Sequence, residues 1–429
     1  MADRPDPVGT PATGPTAPPS RRSLLGLGAA LAGGAGAGLV GYQLGRDAKT
    51  AGPASGATAA GSSAAAAGAV EPAWAGQIEP FHGAHQAGVL TPPQAHAIFL
   101  AVDLLPGPPA TVRDDLRRLL RQWSDDASRM QRGIPTLGDP QPDLAGPPSR
   151  LTITVGLGRG ALTAAGLGDR APAWLAPLPA FRVDRLEARW NDGDVLAQVC
   201  AEDPIVLAHA VRALLLDATG IARMRWQQRG FRRPVTSTST MRNLMGQVDG
   251  TVQPTDAEVG DLVWVGDEGP TWIRGGSSLV VRRIRMNLDT WDSLDPIAKE
   301  QVIGRRLGDG APLTGGKETD KADLDAMVHG LHVIPDFAHI RHAAPVGARE
   351  KILRRPYNYD DLPTDGQSAD AGLLFAAYQR DPLTQFVPIQ RRLDTADLLN
   401  VWTTPVGSAV FAMLPGVPEG GYLGAELLG

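Results

Sequence analysis

The sequence predicts an α+β protein built from two similar halves, each with an antiparallel sheet that helices cover on one face. Two patterns lead to this prediction. Apolar strand-like runs and runs of helical period follow the order strand, helix, strand, strand, helix, strand, which is the ferredoxin-like arrangement. After Gly250 the same order begins again, although no close sequence repeat links the halves. A chain of 429 residues is long enough for both.

The first half has the clearer patterns. Residues 95–105 (AHAIFLAVDLL) form a buried apolar run, and residues 151–155 (LTITV) alternate as a strand does. A helix is predicted at 111–130, because apolar side chains recur there at helical spacing: Val112, Leu116, Leu119, Leu120 and Trp123. The remaining predicted elements are a strand at 195–200, a helix at 204–219 and a strand at 222–229.

The second half is predicted from element order and from a few local signals. Asp295-Pro296 is a good helix start, since proline fits the first helical position. The predicted elements are strands at 277–285, 372–378 and 410–414, helices at 294–304 and 383–399, and a long loop at 305–325. The chain therefore divides into residues 1–69, an N-terminal domain at 70–240 and a C-terminal domain at 241–429.

Residues 1–69 are predicted to be a leader and a spacer. The Pro-, Ala- and Gly-rich composition cannot bury a core. Arg21-Arg22 precedes an uncharged, weakly apolar segment at 23–45, which indicates a signal for the twin-arginine export machinery. The alternative is a transmembrane helix, but many glycines weaken both its helicity and its hydrophobicity. We expect export of the protein and cleavage near the Ala/Gly/Ser-rich spacer at 50–70.

Charge and cysteine content exclude some classes of function. The chain has 41 Lys and Arg against 46 Asp and Glu, so nucleic acid is not an expected partner. The single Cys200 excludes an internal disulfide and a thiolate cluster. His82 and His85 have no nearby carboxylate or cysteine to complete a metal site, so we expect structural roles for both.

One stretch, Phe337-Ala338-His339-Ile340-Arg341, has the character of an iron-porphyrin site. An imidazole can ligate the iron, and guanidinium groups can hold propionates or act on the opposite face. Ile352-Leu353-Arg354-Arg355 follows closely along the chain. The alternative is a core histidine beside a solvated basic loop. Gly246-Gln247-Val248-Asp249-Gly250 is, by itself, a turn.

Taken together, these runs resemble the dye-decolourising peroxidases, in particular their exported bacterial branch. Three further runs carry the resemblance, HGAHQAG at 82–88, GLLFAAYQRDP at 372–382 and FVPIQRRL at 386–393. The resemblance implies two ferredoxin-like domains in a dimeric α+β barrel-like arrangement, with one haem b per chain. It also implies that hydrogen peroxide is reduced and that dyes, phenols or other organic reductants are oxidised in one-electron steps, through a ferryl and porphyrin-radical intermediate.

The resemblance assigns roles residue by residue. His339 matches the proximal haem ligand, Asp249 the distal aspartate and Arg354 the distal arginine. Arg341 is the implied propionate partner. Asp381 falls where an acid accepts a hydrogen bond from the second nitrogen of the histidine.

Two positions depart from the family pattern. Pro356 stands where the family often has glycine after its arginine pair, which puts the pose of Arg354 in question. Residues 342–345 (HAAP) replace a more basic run. Neither departure removes a reactive group.

The residue types suit the reaction that the resemblance implies. A carboxylate can move a proton between the two oxygens of peroxide, and a permanently charged arginine can stabilise the anion that develops as the O–O bond breaks. Two alternatives stay open: an exported haem- or iron-handling protein, such as a deferrochelatase, with incidental peroxidase activity, and an α+β binding protein without haem. The presence of both Asp249 and Arg354 favours the peroxidase, because haem carriage needs neither.

Overall fold

The computed structural model describes residues 72–233, 240–363 and 369–429. From residue 72 onward, the described residues all belong to one compact unit. The predicted export signal and spacer lie outside the described residues. In the described part of the chain, no helix has both the length and the apolar character that crossing a membrane requires.

The first half has the predicted order of strands and helices. Its elements are β1 (His96–Leu104), α1 (Pro109–Met130), β2 (Thr152–Leu157), α2 (Arg159–Ala164), β3 (Val195–Ala201), α3 (Pro204–Asp217) and β4 (Ala222–Phe231). Its strands lie in the antiparallel order β2-β3-β1-β4. This order confirms the ferredoxin-like prediction for the first half.

Both faces of this sheet are buried, which explains why β1 reads as a continuous apolar run. Ile98, Leu100 and Val102 point to one face and pack in a core that includes side chains of α1 and α3. Phe99 and its neighbours on the other face join a second core with side chains from the other half, inside the barrel described below. Successive side chains of a strand alternate between faces, so β1 is apolar throughout its fully buried central part, residues 97–102.

The second half repeats the arrangement with more irregular connections. Its elements are α4 (Asp256–Leu262), β5 (Ser277–Met286), α5 (Leu288–Asp292), α6 (Pro296–Ile303), β6 (Met327–Val328), β7 (Leu331–His332), α7 (His339–Ala343), β8 (Leu353–Arg354), β9 (Tyr357–Asp361), β10 (Asp370–Gln379), α8 (Phe386–Ala396), β11 (Thr403–Met413) and α9 (Ala425–Leu428). Its main strands lie in the order β11-β5-β10-β9. This order is again the ferredoxin-like one. As predicted, Asp295 caps α6 by accepting a hydrogen bond from the Ala298 amide at 2.9 Å.

The two halves form one closed antiparallel barrel. β4 pairs with β9 through Phe231 and Asn358, and β11 pairs with β2 through Ala412 and Leu157. The nine-stranded main sheet closes on itself because β5 pairs with both β11 and β10. The barrel-like arrangement is therefore confirmed. Because hydrogen bonds of one sheet cross between the halves, the domain boundary at 240/241 stays a prediction.

The segment around the arginine pair is a strand, which the sequence patterns did not predict. β8 and β9 both pair with β10, in one register that Arg355 continues by donating its amide to the Ala376 carbonyl at 2.8 Å. Residues 355 and 356 separate β8 from β9, and Pro356, which has no N–H, directs its nitrogen away from β10. The register survives this interruption, so Pro356 does not displace Arg354 along the strand.

Candidate active site

A tight loop holds Asp249 in place. Arg242 and Val248 form an antiparallel bridge, and the Asp249 amide donates to the Met241 carbonyl at 2.8 Å. The Asn243 side chain closes the turn between them by accepting from the amide of Met245 at 3.0 Å. The predicted turn is thus the tip of a short hairpin, and Asp249 leaves it with a fixed main chain.

The glycines of this motif are required by the backbone. Gly246 has φ +81° and Gly250 has φ +106°. Both angles lie in the left-handed region, which side chains with a Cβ rarely adopt. The spacing Gly-x-x-Asp-Gly therefore places an aspartate between two sharp changes of chain direction.

Arg354 lies beside Asp249, as the resemblance implied for two distal residues. Its Nη1 donates to Asp249 Oδ1 at 3.0 Å, and its Nη2 donates to the Val252 carbonyl at 3.2 Å. The side chains are partly buried, with 25% of Arg354 and 14% of Asp249 exposed. The pair keeps a cation and a proton acceptor together at a surface that a small molecule can reach.

His339 is the first residue of the short helix α7, and its imidazole is held by a buried carboxylate. Its Nδ1 lies 2.6 Å from Oδ2 of Asp397, whose side chain is only 3% exposed. Because the carboxylate accepts, Nδ1 carries the proton and Nε2 keeps its lone pair. With 30% of the histidine side chain exposed, Nε2 is the nitrogen that could bind a metal.

The neighbouring backbone fixes the distance between His339 and Asp397. α7 packs against α8, and the amide of Leu398 donates to the Phe337 carbonyl at 3.1 Å. Arg392 of α8 reaches the other end of α7, where it donates to the Ala344 carbonyl at 3.0 Å. Hydrogen bonds on both sides of the contact therefore keep His339 and Asp397 close to each other.

The prediction that Asp381 accepts this hydrogen bond is wrong. Asp381 lies before α8 and Asp397 directly after it, and a helix of 11 residues separates its ends by about 16 Å. Asp381 instead accepts from the Leu383 amide at 2.7 Å and so caps the turn that leads into α8. Asp397 is important because it directly follows the last residue of α8. The sequence predicted this helix at 383–399, and the exact end of a helix is difficult to predict from sequence.

Asp249 and Arg354 are close enough to His339 for their charges to act on its imidazole. Burial lowers the pKa of His339, but the carboxylate of Asp397 raises it more, so that the pKa lies above its ordinary value. The charge of Asp249 raises this pKa further, and the charge of Arg354 lowers it. The structure thus brings together three residues that the sequence spreads over more than a hundred positions.

Arg341 has a clear structural task beside α7. Its Nη2 donates to the carbonyls of Leu324 and Ile334, each at 2.6 Å, and its Nε donates to the Pro335 carbonyl at 3.3 Å. Arg341 thus braces the loop that leads into α7. Within the described residues its Nη1 has no acceptor, so contact with a propionate stays a prediction.

Arg305 is a further cation at this site, and no sequence motif pointed to it. Its Nη1 donates to the carbonyls of Gly310 and Glu318, both at 2.7 Å. Burial lowers the pKa of Arg305, the charge of Glu318 raises it, and the nearby charge of Arg354 lowers it again. A partly buried arginine such as Arg305 is well suited to hold a carboxylate of an anionic ligand.

The donor set fits a haem. One face of the site offers a single imidazole nitrogen whose ring is oriented by a buried acid, which is a common arrangement for an axial ligand. Arg305 and Arg341 are cations that could pair with propionates. Asp249 and Arg354 supply a proton acceptor and a cation that an axial ligand does not need.

Comparison with known proteins agrees with this geometry. The family profile for the N-terminal domain of Dyp-type peroxidases matches residues 86–232, and that for the C-terminal domain matches residues 240–418. Together these matches cover most of the chain.

Individual relatives agree with the family profiles. A dye-decolorizing peroxidase of Thermobifida fusca is 42% identical over 363 residues, which are 80% of this chain and 84% of the relative. A deferrochelatase of Escherichia coli O157:H7 is 33% identical over 374 residues, which are 82% of this chain and 87% of the relative. The crystal structure of a DyP-type peroxidase from Cellulomonas bogoriensis superposes with a TM-score of 0.80 at 53% identity, covering 82% of this chain and 99% of that one.

Proposed function

The chain belongs to the Dyp-type peroxidase family, and we propose that His339 is its haem ligand while Asp249 and Arg354 act on peroxide. The protein is a haem peroxidase, which reduces hydrogen peroxide and oxidises organic reductants. Bound haem supplies an iron that coordinates peroxide and exchanges electrons. The residues of the chain orient that iron, move protons and stabilise charge.

His339 would bind the haem iron through Nε2, while the carboxylate of Asp397 accepts a hydrogen bond from Nδ1–H. The carboxylate makes the imidazole a stronger donor to the metal, because negative charge near Nδ1–H increases the electron density at Nε2. The 2.6 Å contact and the near-complete burial of Asp397 support this role. Asp397 thereby replaces Asp381 in the proposed set.

Toward peroxide, Asp249 would accept a proton from one oxygen and return it to the other, and a bound haem would supply the two electrons with which that second oxygen leaves as water. Arg354 stabilises the negative charge that develops on the departing oxygen, because its guanidinium stays protonated. The 3.0 Å contact between the two side chains supports a shared task. Arg305 and Arg341 hold the propionates.

One observation carries this proposal: the Asp397-bound imidazole and the Asp249–Arg354 pair lie close enough to interact electrostatically. The test is an absorption spectrum of the haem-loaded protein and of its His339→Ala variant, followed by a dye-oxidation assay with peroxide. The parent should show a ferric haem spectrum and oxidise the dye. An unchanged spectrum in the variant would contradict the assignment of His339.

A second candidate function is removal of iron from haem, because a deferrochelatase is 33% identical over most of the chain. The two functions differ in their product. Incubation with haem and a reductant, without peroxide, should leave the porphyrin metallated if the protein is a peroxidase alone. Fluorescence of metal-free protoporphyrin would establish the second activity.

Export by the twin-arginine route completes the proposal. Arg21-Arg22 and the weakly apolar segment at 23–45 support it. This route suits a protein that takes up its cofactor before it crosses the membrane.

A further inference from the structure

The side-chain amide of Gln253 pairs with the main chain of Arg354. The Arg354 amide donates to Gln253 Oε1 at 2.8 Å, and Gln253 Nε2 donates to the Arg354 carbonyl at 2.9 Å. Both polar ends of one side chain are thus used on a single residue. This reciprocal pair has the hydrogen-bonding pattern of two residues in neighbouring antiparallel strands.

The strand needs such a partner at this position. Residues along an antiparallel strand direct their N–H and C=O groups alternately to either side. Arg355 donates its amide to Ala376 of β10, so Arg354 directs its own groups away from β10. In the described residues, β4 reaches this strand only at Asn358. Gln253 therefore stands where the peptide group of another strand would otherwise be.

The same segment also holds the other end of Arg354. Asp249 and the Val252 carbonyl accept from its guanidinium, at 3.0 and 3.2 Å. Residues 249–253 thus contact Arg354 from its peptide group to the tip of its side chain. An arginine has many rotamers, so a fixed main chain is a condition for a fixed guanidinium.

Gln253 is itself well anchored. Pro254 follows it, and Thr255 then begins α4 with a capping box, in which Glu258 accepts from the Thr255 amide at 2.9 Å. Glu258 also forms an ion pair with Lys351, three residues before Arg354. The loop that carries Gln253 is thereby joined to the strand that carries Arg354 at two separate points.

We propose that Gln253 is a positioning residue, which sets the place of the Arg354 guanidinium at the haem. The inference rests on the proposed role of Arg354. The role of Gln253 needs both a hydrogen-bond donor and an acceptor at the end of its side chain. Gln253→Met keeps the approximate shape of the side chain and removes both hydrogen bonds. Gln253→Glu keeps the acceptor for the amide and loses the donor to the carbonyl.

The test measures fluoride binding to the ferric, haem-loaded protein by absorption titration. Fluoride coordinates the iron and accepts hydrogen bonds, so its affinity reports a correctly placed guanidinium without any turnover. We expect Gln253→Met to weaken fluoride binding about tenfold, and Gln253→Glu to weaken it less. In the Arg354→Leu background, Gln253→Met should cause no further loss. Gln77→Met, which removes a surface amide bonded to the Ala73 carbonyl, is the matched control and should bind as the parent does.

Hydrogen exchange gives a second readout that does not depend on haem. The Arg354 amide loses its acceptor in Gln253→Met, so the peptide that contains it should exchange faster in the haem-free protein. If Gln253→Met does not fold, Gln253→Glu supports the proposal by weaker fluoride binding that disappears in the Arg354→Leu background.

Two results would overturn the inference. One is parental fluoride affinity in both Gln253 variants while Arg354→Leu binds weakly. The other is an equal loss with and without Arg354, which would show that Gln253 acts elsewhere. Parental affinity in Arg354→Leu itself would instead refute the proposed role of Arg354.

Discussion

Arg354 Nη1 lies 3.0 Å from Asp249 Oδ1, although 105 residues separate the two along the chain. Their contributions should therefore be non-additive. We expect Asp249→Asn and Arg354→Leu each to slow the reaction with peroxide by about 10²–10³-fold. The double variant should lose less than the product of the two, because each single change already leaves the other residue without its partner. The measurement is a double-mutant cycle: stopped-flow rate constants, with peroxide in excess, for the parent, the two single variants and the double variant.

The pH dependence separates the two roles. Arg354 stays protonated near neutral pH, so Arg354→Leu should be slow at every pH. Asp249 can exchange protons, so Asp249→Asn should also change the shape of the profile. Reaction of Arg354→Leu at the parental rate from acidic to mildly alkaline pH would refute its distal role.

Haem retention should depend on His339. His339→Ala is expected to lose most of the bound haem, measured as the ratio of haem absorbance to protein after gel filtration. His332 and His342 are suitable controls, because they bond Asp336 Oδ1 at 2.7 Å and the Asp336 carbonyl at 2.8 Å. Alanine at either control position should leave haem in place. Added imidazole should partly restore the spectrum of His339→Gly.

The proximal hydrogen bond should set the reduction potential. Asp397→Asn removes the negative charge next to His339 Nδ1, so the ferric state loses stabilisation and the midpoint potential should rise. Peroxide reactivity should fall about 10- to 100-fold. Asp381→Asn is the matched control and should change neither quantity. Equal effects of the two changes in spectroelectrochemical titration would contradict the assignment.

A pair of acids in the first half should make stability depend on pH. Burial raises the pKa of Asp217 in α3 to about 8, and the neighbouring charge of Asp126 in α1 adds to this shift. Between the ordinary value of 3.8 and about 8, the folded protein keeps a proton that the unfolded chain releases. The contribution of Asp217 to folding stability therefore falls as pH rises through this window and is constant above it.

The Asp217→Asn variant has no titrating group at this position, so it does not share the loss of stability that the parent shows as the pH rises. The melting temperature of the variant, measured relative to that of the parent, should therefore rise with pH over the same window. We expect an increase of about 2 °C or more, which corresponds to roughly 1 kcal/mol. Exposed Asp143→Asn is the control and should give a flat difference. A flat difference for Asp217→Asn would contradict the raised pKa of Asp217.

Export is predicted to depend on Arg21 and Arg22. Replacing both by Lys keeps the charge but removes the feature that the export receptor reads. Precursor should then accumulate inside the cell, as measured by immunoblotting of cell fractions. Normal export of the double variant would overturn the predicted signal.

The sequence predicted elements well where periodicity is strong. β1 and β3 are buried on both faces, and α1 repeats its apolar side chains at helical spacing, so all three match their predicted ranges closely. The β8–β9 strand escaped prediction because its buried face carries Arg355 as well as Tyr357 and Tyr359, and buried arginine is rare. The charge of the arginine pair also left a solvated loop open as an alternative, yet the side chain of Arg355 is buried inside the barrel.

The site shows the same division. His339, Asp249 and Arg354 belong to short motifs, so their residue types were readable, and the structure places them together. Asp397 and Gln253 act through contacts between segments that are distant in sequence, at the end of a helix and beside a strand edge. No local pattern encodes such contacts. Only the closed sheet and the packing of α7 on α8 define them.

β11 closes the barrel, and its position late in the chain has a consequence for folding during synthesis on the ribosome. β11 joins β5 to β2, so a nascent chain that lacks residues 403–413 has open edges on β5 and β2, where β11 pairs in the complete chain. Asp397 directly precedes this strand, so the residue that orients His339 is also synthesised late. If His339 ligates the haem as proposed, its imidazole can be held by Asp397 only after the chain has been synthesised beyond residue 397. An export route that accepts only folded proteins would then select for molecules in which the β-barrel has closed.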